Sequence, residues 1–121
     1  MSNSVVSISS ALLNKTSVLE GMEEEWRLMI HDHKEAIKAN GTKVLLDPDV
    51  IQEYLYRPDD YLSEHKNMNR SLTWIFLYIN DLPSKMEFNT SLEEIYVPKE
   101  SHITDLRSTY RAILTSRKKY N

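Results

Sequence analysis

The chain contains no cysteine among its 121 residues. Disulfides, thiolate metal ligands and cysteine nucleophiles are therefore excluded together. Glycine is also scarce, with only Gly21 and Gly41, although tight turns often need glycine at positive φ. This scarcity favours helices over a large sheet and argues against a glycine-rich loop that would cradle a phosphate.

Long hydrophobic runs are missing as well. The longest strongly apolar run spans residues 74–79, far below the ~20 residues that a membrane-spanning helix needs. The first eight residues carry no basic side chain and no long apolar core, so they do not resemble a secretory signal. We expect no membrane partner, and a location in the cytoplasm or within a particle assembled inside the cell.

Charge is distributed unevenly, although the net charge is only −3. Residues 1–60 hold 11 acidic and 6 basic side chains, whereas residues 61–121 hold 7 acidic and 9 basic ones. Such polarity can orient neighbouring subunits, and cations also suit the C-terminal end of a helix. The last 17 residues contain one acidic side chain, Asp105, and five basic ones. These are Arg107, Arg111, Arg117, Lys118 and Lys119.

In the first half of the chain, residues at helical spacing form one mostly apolar stripe, which is expected to face the core. Its members are Leu19, Met22, Trp26, Met29, Ile30, His33 and Ile37. The segment Ser17-Val-Leu-Glu20 has the pattern of a capping box and predicts a helix from about Val18 to Ala39. Asn40-Gly41 would end it, because glycine can adopt the left-handed conformation at a helix end. Asp47 and Pro48 predict the start of a second helix, since aspartate caps and proline fits the first helical position.

The second half predicts further helices at residues 59–81 and 102–119. Two helices meeting near Asn67 remain an alternative for the first of these, because residues 66–70 are weak in helix formers. Residues 42–46 are extended, as either a short strand or a plain connection, and a short turn is expected through Leu92, Ile95 and Tyr96.

Together these segments predict an all-α fold. We expect an irregular bundle of four or five helices in a single domain at residues 17–121. Residues 1–16 are rich in serine and asparagine but also hold Val5, Val6, Ile8 and Leu12. They are predicted to form an extended N-terminal arm that docks on its own domain or on a neighbour.

No constellation typical of catalysis or metal binding is visible. His31 and His33 stand two residues apart, and on a helix such positions point about 200° apart and cannot share an ion. The adjacent carboxylates Asp59-Asp60 and Glu93-Glu94 diverge in the same way, whereas paired catalytic carboxylates must converge. We expect a chain that is not an enzyme, with no catalytic residue, metal, cofactor or small-molecule substrate.

The aromatic residues provide the positive indication of function. Trp74, Phe76 and Tyr78 place rings on more than one face of a predicted helix, and a domain of this size cannot easily bury them all. Tryptophan, tyrosine and arginine are favoured anchors of interfaces. The partner-binding residues predicted from the sequence are Trp74, Phe76, Tyr78, Arg107 and Arg111.

The sequence thus predicts a non-catalytic protein–protein interaction or assembly subunit. Its partner would be another protein or a copy of itself, and a small structural component of a virion or of another multi-subunit complex fits the size. The alternative is a nucleic-acid-associated regulator that binds through the basic C-terminal helix, with Arg107, Arg111 and Lys118 on one face. The negative net charge disfavours this alternative.

Overall fold

The computed structural model describes residues 24–120, and for residues 117–120 the backbone only. The predicted arm at residues 1–16 and the predicted capping box therefore lie outside the described residues. The fold is mostly helical and includes one small two-stranded sheet. Its main elements are α1 (Glu24–Asp32), α2 (Lys34–Asn40), β1 (Thr42–Leu45), α3 (Pro48–Glu53), α4 (Pro58–Asp60), α5 (Thr73–Ile79), β2 (Glu94–Val97) and α6 (Glu100–Tyr120).

The first predicted helix appears as two helices, α1 and α2, that meet at His33. The backbone of His33 leaves helical geometry, with φ −104° and ψ 11°. Hydrogen bonding continues across it, since its N–H donates to Met29 O (3.1 Å) and its carbonyl accepts from Ile37 N (2.8 Å). The predicted stripe is confirmed at its buried positions, Trp26, Ile30 and Ile37.

Gly41 ends α2 for a different reason from the one expected. Its φ of −83° and ψ of −170° are extended, not left-handed. A Cβ at this position would lie 2.4 Å from the carbonyl oxygen of Val97, closer than two such atoms can approach. Glycine is needed here because the backbones of the α2 end and β2 nearly touch.

The prediction of an all-α fold was wrong at the sheet. Strands β1 and β2 pair antiparallel, with Thr42 opposite Val97 and Leu45 opposite Glu94. The short strand expected as one option at residues 42–46 is confirmed. The turn predicted through Leu92, Ile95 and Tyr96 was wrong for its last two residues, which belong to β2. Burial alternates along β2, with Ile95 and Val97 inward, but four residues are too few for this period to stand out in the sequence.

The start of α3 is as predicted. Asp47 caps the helix by accepting a hydrogen bond from the backbone N–H of Asp49 (2.8 Å), and Pro48 occupies the first helical turn. Ile51 is its fully buried residue. The short helix α4 begins at Pro58. It continues directly into a π-helix at Tyr61–His65.

The long helix predicted at residues 59–81 is interrupted, and the alternative of two helices meeting near Asn67 is correct. Asn67 has φ +56°, a conformation that asparagine tolerates better than most residues. Asn69 then caps a 3₁₀ helix at Arg70–Leu72 by accepting from Ser71 N (2.9 Å). This turn leads directly into α5.

The core forms around α5. Phe76 and Phe88 are fully buried and pack edge to face at 5.9 Å, and the ring of Tyr61 lies 5.4 Å from that of Phe88. Beyond the end of α5, Asn80 donates from Nδ2 to the carbonyl oxygens of Phe76 and Tyr96 (both 2.8 Å) and accepts from Tyr96 N (2.7 Å). Its side chain thus joins α5 to β2.

Candidate functional site

Trp74 is the one α5 residue that stands at the protein surface. Its side chain is 38% exposed, whereas the other six residues of the helix are buried. The ammonium of Lys85 lies 5.9 Å from the centroid of the Trp74 ring. Met86, the next residue in the chain, is 60% exposed. A large aromatic and a flexible thioether side chain are therefore open to solvent beside a cation.

A charge network adjoins Trp74. Asp59 accepts from Arg70 (3.3 Å) and from Lys85 (3.4 Å), and Arg70 also pairs with Asp60. The hydrogen bond from Arg70 is the main cause that holds the pKa of the Asp60 carboxyl below its usual value. We call Asp59, Arg70, Trp74, Lys85 and Met86 the Trp74 surface.

The other two aromatic residues predicted as contacts, Phe76 and Tyr78, lie in the core. Phe76 is fully buried and Tyr78 is 6% exposed. Tyr78 forms a hydrogen bond with Nδ1 of His31, and Lys34 Nζ lies 5.1 Å from its ring centroid. Burial raises the pKa of the Tyr78 hydroxyl. Packing within the chain accounts for both rings, which are closed to a partner in this conformation.

Arg107 and Arg111 lie together on one pocket, which we call the arginine pocket. It is open on one side and encloses about 390 Å³ between α6 and the 3₁₀ turn that precedes α5. The Arg107 guanidinium carbon lies 5.0 Å from the centroid of the Trp26 ring. The residues that line the arginine pocket are Trp26, Asn69, Ser71, Leu72, Ile75, Glu100, Ile103, Thr104, Arg107, Ser108 and Arg111.

Helical spacing explains how α6 builds its side of the pocket. Ile103, Leu106 and Tyr110 are buried and anchor the helix, with Tyr110 at 5.5 Å from the ring of Trp26. Arg107 and Arg111 are four residues apart and thus share the flank of that buried stripe. The side chain of Lys118, predicted on the same face, lies outside the described side chains.

The two pocket arginines differ from the other arginines whose contacts are known. Arg57 and Arg70 both pair with Asp60 (3.0 and 2.5 Å). Within residues 24–120, neither Arg107 nor Arg111 forms an ion pair. The carboxylate in the pocket lining belongs to Glu100. The pocket therefore holds two cations whose charge the described part of the chain does not neutralise by direct contact.

The histidines do not form a common site. His33 Nδ1 bonds to Met29 O (2.8 Å), and His65 stacks on Tyr61 at 5.3 Å between ring centroids. Nδ1 of His102 is buried without a hydrogen-bond partner among the described residues. In that same part of the chain, no group of three metal-ligating side chains comes together. This arrangement offers no pair of histidines for proton transfer at one substrate atom.

Several pocket residues were not predicted from the sequence as parts of a site. Trp26 was predicted only as part of a core stripe, yet this ring forms a wall of the pocket. Ser71 reaches the pocket from the turn before α5, and no sequence pattern links it to α6. Thr104 and Ser108 have the same four-residue spacing as the arginines, which is the one signal that could have located them.

Comparisons of the chain with protein-family models, curated proteins and solved structures found no match. Among residues 24–120, no helix is both long and apolar enough to span a membrane. The functional proposals below therefore depend on the residues and their geometry.

Proposed function

We propose that this chain is a non-catalytic assembly protein that binds a protein partner or a second copy of itself. A small structural subunit of a virion or of another multi-subunit complex is one setting that fits a chain of 121 residues. The observation that carries the proposal is the exposure of Trp74 on a helix whose other residues are all buried.

The surroundings of Trp74 support a contact role. Interfaces commonly have an apolar centre that is rich in aromatic residues and methionine, with a polar rim. Trp74 and Met86 provide apolar area here, and Asp59, Arg70 and Lys85 provide charged neighbours. Tryptophan is also among the residues whose truncation most often weakens binding.

Single exposed apolar residues are common on protein surfaces and need no function. Leu45 on β1 is 77% exposed and Tyr56 is 44% exposed, so exposure alone does not distinguish Trp74 from them. The contact between its ring and the ammonium of Lys85 does. Leu45 and Tyr56 therefore supply control positions.

The first part of the test measures the molar mass of the purified chain by light scattering over a concentration series. The second part cross-links the chain in its native source and identifies the proteins that are captured with it. We expect a mass above the 14.2 kDa of one chain or a specific cross-linked protein partner. Trp74→Ala should lose that association, whereas Leu45→Ala and Tyr56→Ala should keep it. A wild-type monomer without companions, or equal behaviour of all three variants, contradicts the proposal.

Nucleic-acid binding through α6 is the second candidate. It is favoured by Arg107 and Arg111, which have no ion-pair partner within residues 24–120, and disfavoured by Glu100 in the same pocket and by the net charge of −3. It predicts salt-dependent binding to random duplex DNA that is lost in Arg107→Ala plus Arg111→Ala. Absence of such binding at low ionic strength would eliminate it.

A further inference from the structure

We propose that the arginine pocket binds a peptide segment of a partner protein in which a carboxylate side chain stands beside an apolar one. This site is separate from the Trp74 surface. The inference therefore does not depend on Trp74, and equal behaviour of the Trp74, Leu45 and Tyr56 variants would leave it intact.

The pocket supplies donors for a carboxylate. Guanidinium groups form paired, charge-assisted hydrogen bonds with carboxylates, and these are among the strongest hydrogen bonds in proteins. Arg107 and Arg111 stand one helical turn apart with no ion-pair partner between residues 24 and 120. The guanidinium carbon of Arg107 lies over the face of Trp26, 5.0 Å from the ring centroid, and this contact helps fix the position of the guanidinium.

The walls of the pocket supply apolar contact. Trp26, Leu72, Ile75 and Ile103 line it, but each has only 2–6% of its surface exposed, so together they offer a small apolar patch at the base of the pocket. A volume of about 390 Å³ accommodates one or two side chains, at the small end of the range typical of ligand pockets. A ligand with a purely anionic surface would not use these walls, whereas an acidic residue next to a leucine or phenylalanine would.

The charge pattern favours a peptide over a nucleic acid. Glu100 lines the same pocket, so a continuous row of phosphates would meet a carboxylate as well as the two arginines. A peptide with one carboxylate can reach the arginines and place a neutral residue or an N–H donor near Glu100. The net charge of −3 also opposes a polyanion more strongly than a single carboxylate.

The test uses fluorescence anisotropy with the full chain and three labelled probes. One hexapeptide with blocked termini carries a single glutamate between leucine and phenylalanine among neutral residues, a second replaces that glutamate with glutamine, and the third probe is a twelve-residue oligothymidine. We expect the glutamate peptide to bind about tenfold more tightly than the glutamine peptide, as for the loss of a charge-assisted pair. The indole N–H signal of Trp26 in NMR spectra, assigned with Trp74→Phe, should shift during the same titration.

Two double variants locate the binding. Arg107→Gln plus Arg111→Gln should abolish the preference for the glutamate peptide. Lys43→Gln plus Arg57→Gln removes the same amount of charge from ion pairs outside the pocket and should preserve the preference within about twofold. Circular dichroism melting curves confirm that each variant is folded.

Three outcomes overturn the inference. The glutamate peptide does not bind, it binds no better than the glutamine peptide, or its preference survives the loss of both pocket arginines. Tighter binding of oligothymidine, lost in the same arginine variant, would assign the pocket to nucleic acid instead.

Discussion

Helices α5 and α6 use their residues in opposite ways. Six of the seven residues of α5 are buried, whereas α6 buries only Ile103, Leu106 and Tyr110 over the stretch 100–116, where its side chains are described. Most of this strongly apolar helix is thus buried in the core of the chain itself. The more polar helix lines the arginine pocket, so apolar content alone does not locate the surface features on which the two proposals depend.

The largest expected effect tests how fully α5 belongs to the core. Phe76→Ala should lower the free energy of unfolding by about 3–5 kcal/mol, because it removes a fully buried ring and leaves a cavity. Trp74→Ala, two residues away but 38% exposed, should cost less, about 1–2 kcal/mol, because part of its ring is already in water. Urea denaturation of both variants provides the measurement. Similar losses at the two positions would contradict the proposed division of α5 into core and surface.

The second prediction concerns how the stability of the protein depends on pH. It rests on Tyr61, whose ring lies 6.3 Å from that of Phe76. Burial raises the pKa of Tyr61 from its usual value of 10.0 to about 12. Since the unfolded chain loses this proton first, the contribution of Tyr61 to stability should be constant up to about pH 10. It should then fall by about 2–3 kcal/mol as the pH rises towards 12.

The matched control for this prediction is Tyr61→Phe, which keeps the ring and removes the ionisable hydroxyl. Its stability should decline less between pH 10 and 12 than that of the wild type, as measured by urea denaturation at each pH. Equal alkaline losses in the two proteins would show that other groups dominate.

A third prediction sharpens the role of the connection between α5 and β2. Asn80→Ala should cost about 1–3 kcal/mol, because it leaves the backbone N–H of Tyr96 and two carbonyl groups without these partners. Asn40→Ala is the control, since its exposed side chain bonds only to Ala36 O among the described contacts. The comparison uses thermal unfolding, and a larger loss for Asn40→Ala would contradict the assigned role of Asn80.

The elements that local chemistry determines could be predicted from the sequence. Asp47 and Pro48 define the start of α3 through one cap and one fixed φ angle. The weak helix formers around Asn67 marked the place where the chain turns before α5. Both features involve a few neighbouring residues, so no knowledge of distant contacts was required.

The elements that depend on distant contacts could not be predicted. Gly41 is required by the carbonyl oxygen of Val97, and β2 forms because β1 offers it a hydrogen-bonding edge. For the candidate site, Trp74 and the two arginines were identified, but Trp26 and Ser71 join Arg107 only through tertiary packing. The expected surplus of aromatic surface was overestimated, because Tyr61 and Phe88 enclose Phe76.

The smallest expected effect lies on α6 and separates its two arginines. Arg107→Ala should cost about 0.5–1 kcal/mol, because it removes the contact between the guanidinium and the ring of Trp26. Arg111→Ala should change stability by less than about 0.5 kcal/mol, since this exposed side chain forms no ion pair within residues 24–120. Both values follow from thermal unfolding. If Arg111 proved as costly as a core residue, its positive charge would serve the fold, and the contrast between a mostly buried α5 and an α6 with cations unpaired in the described part of the chain would no longer hold.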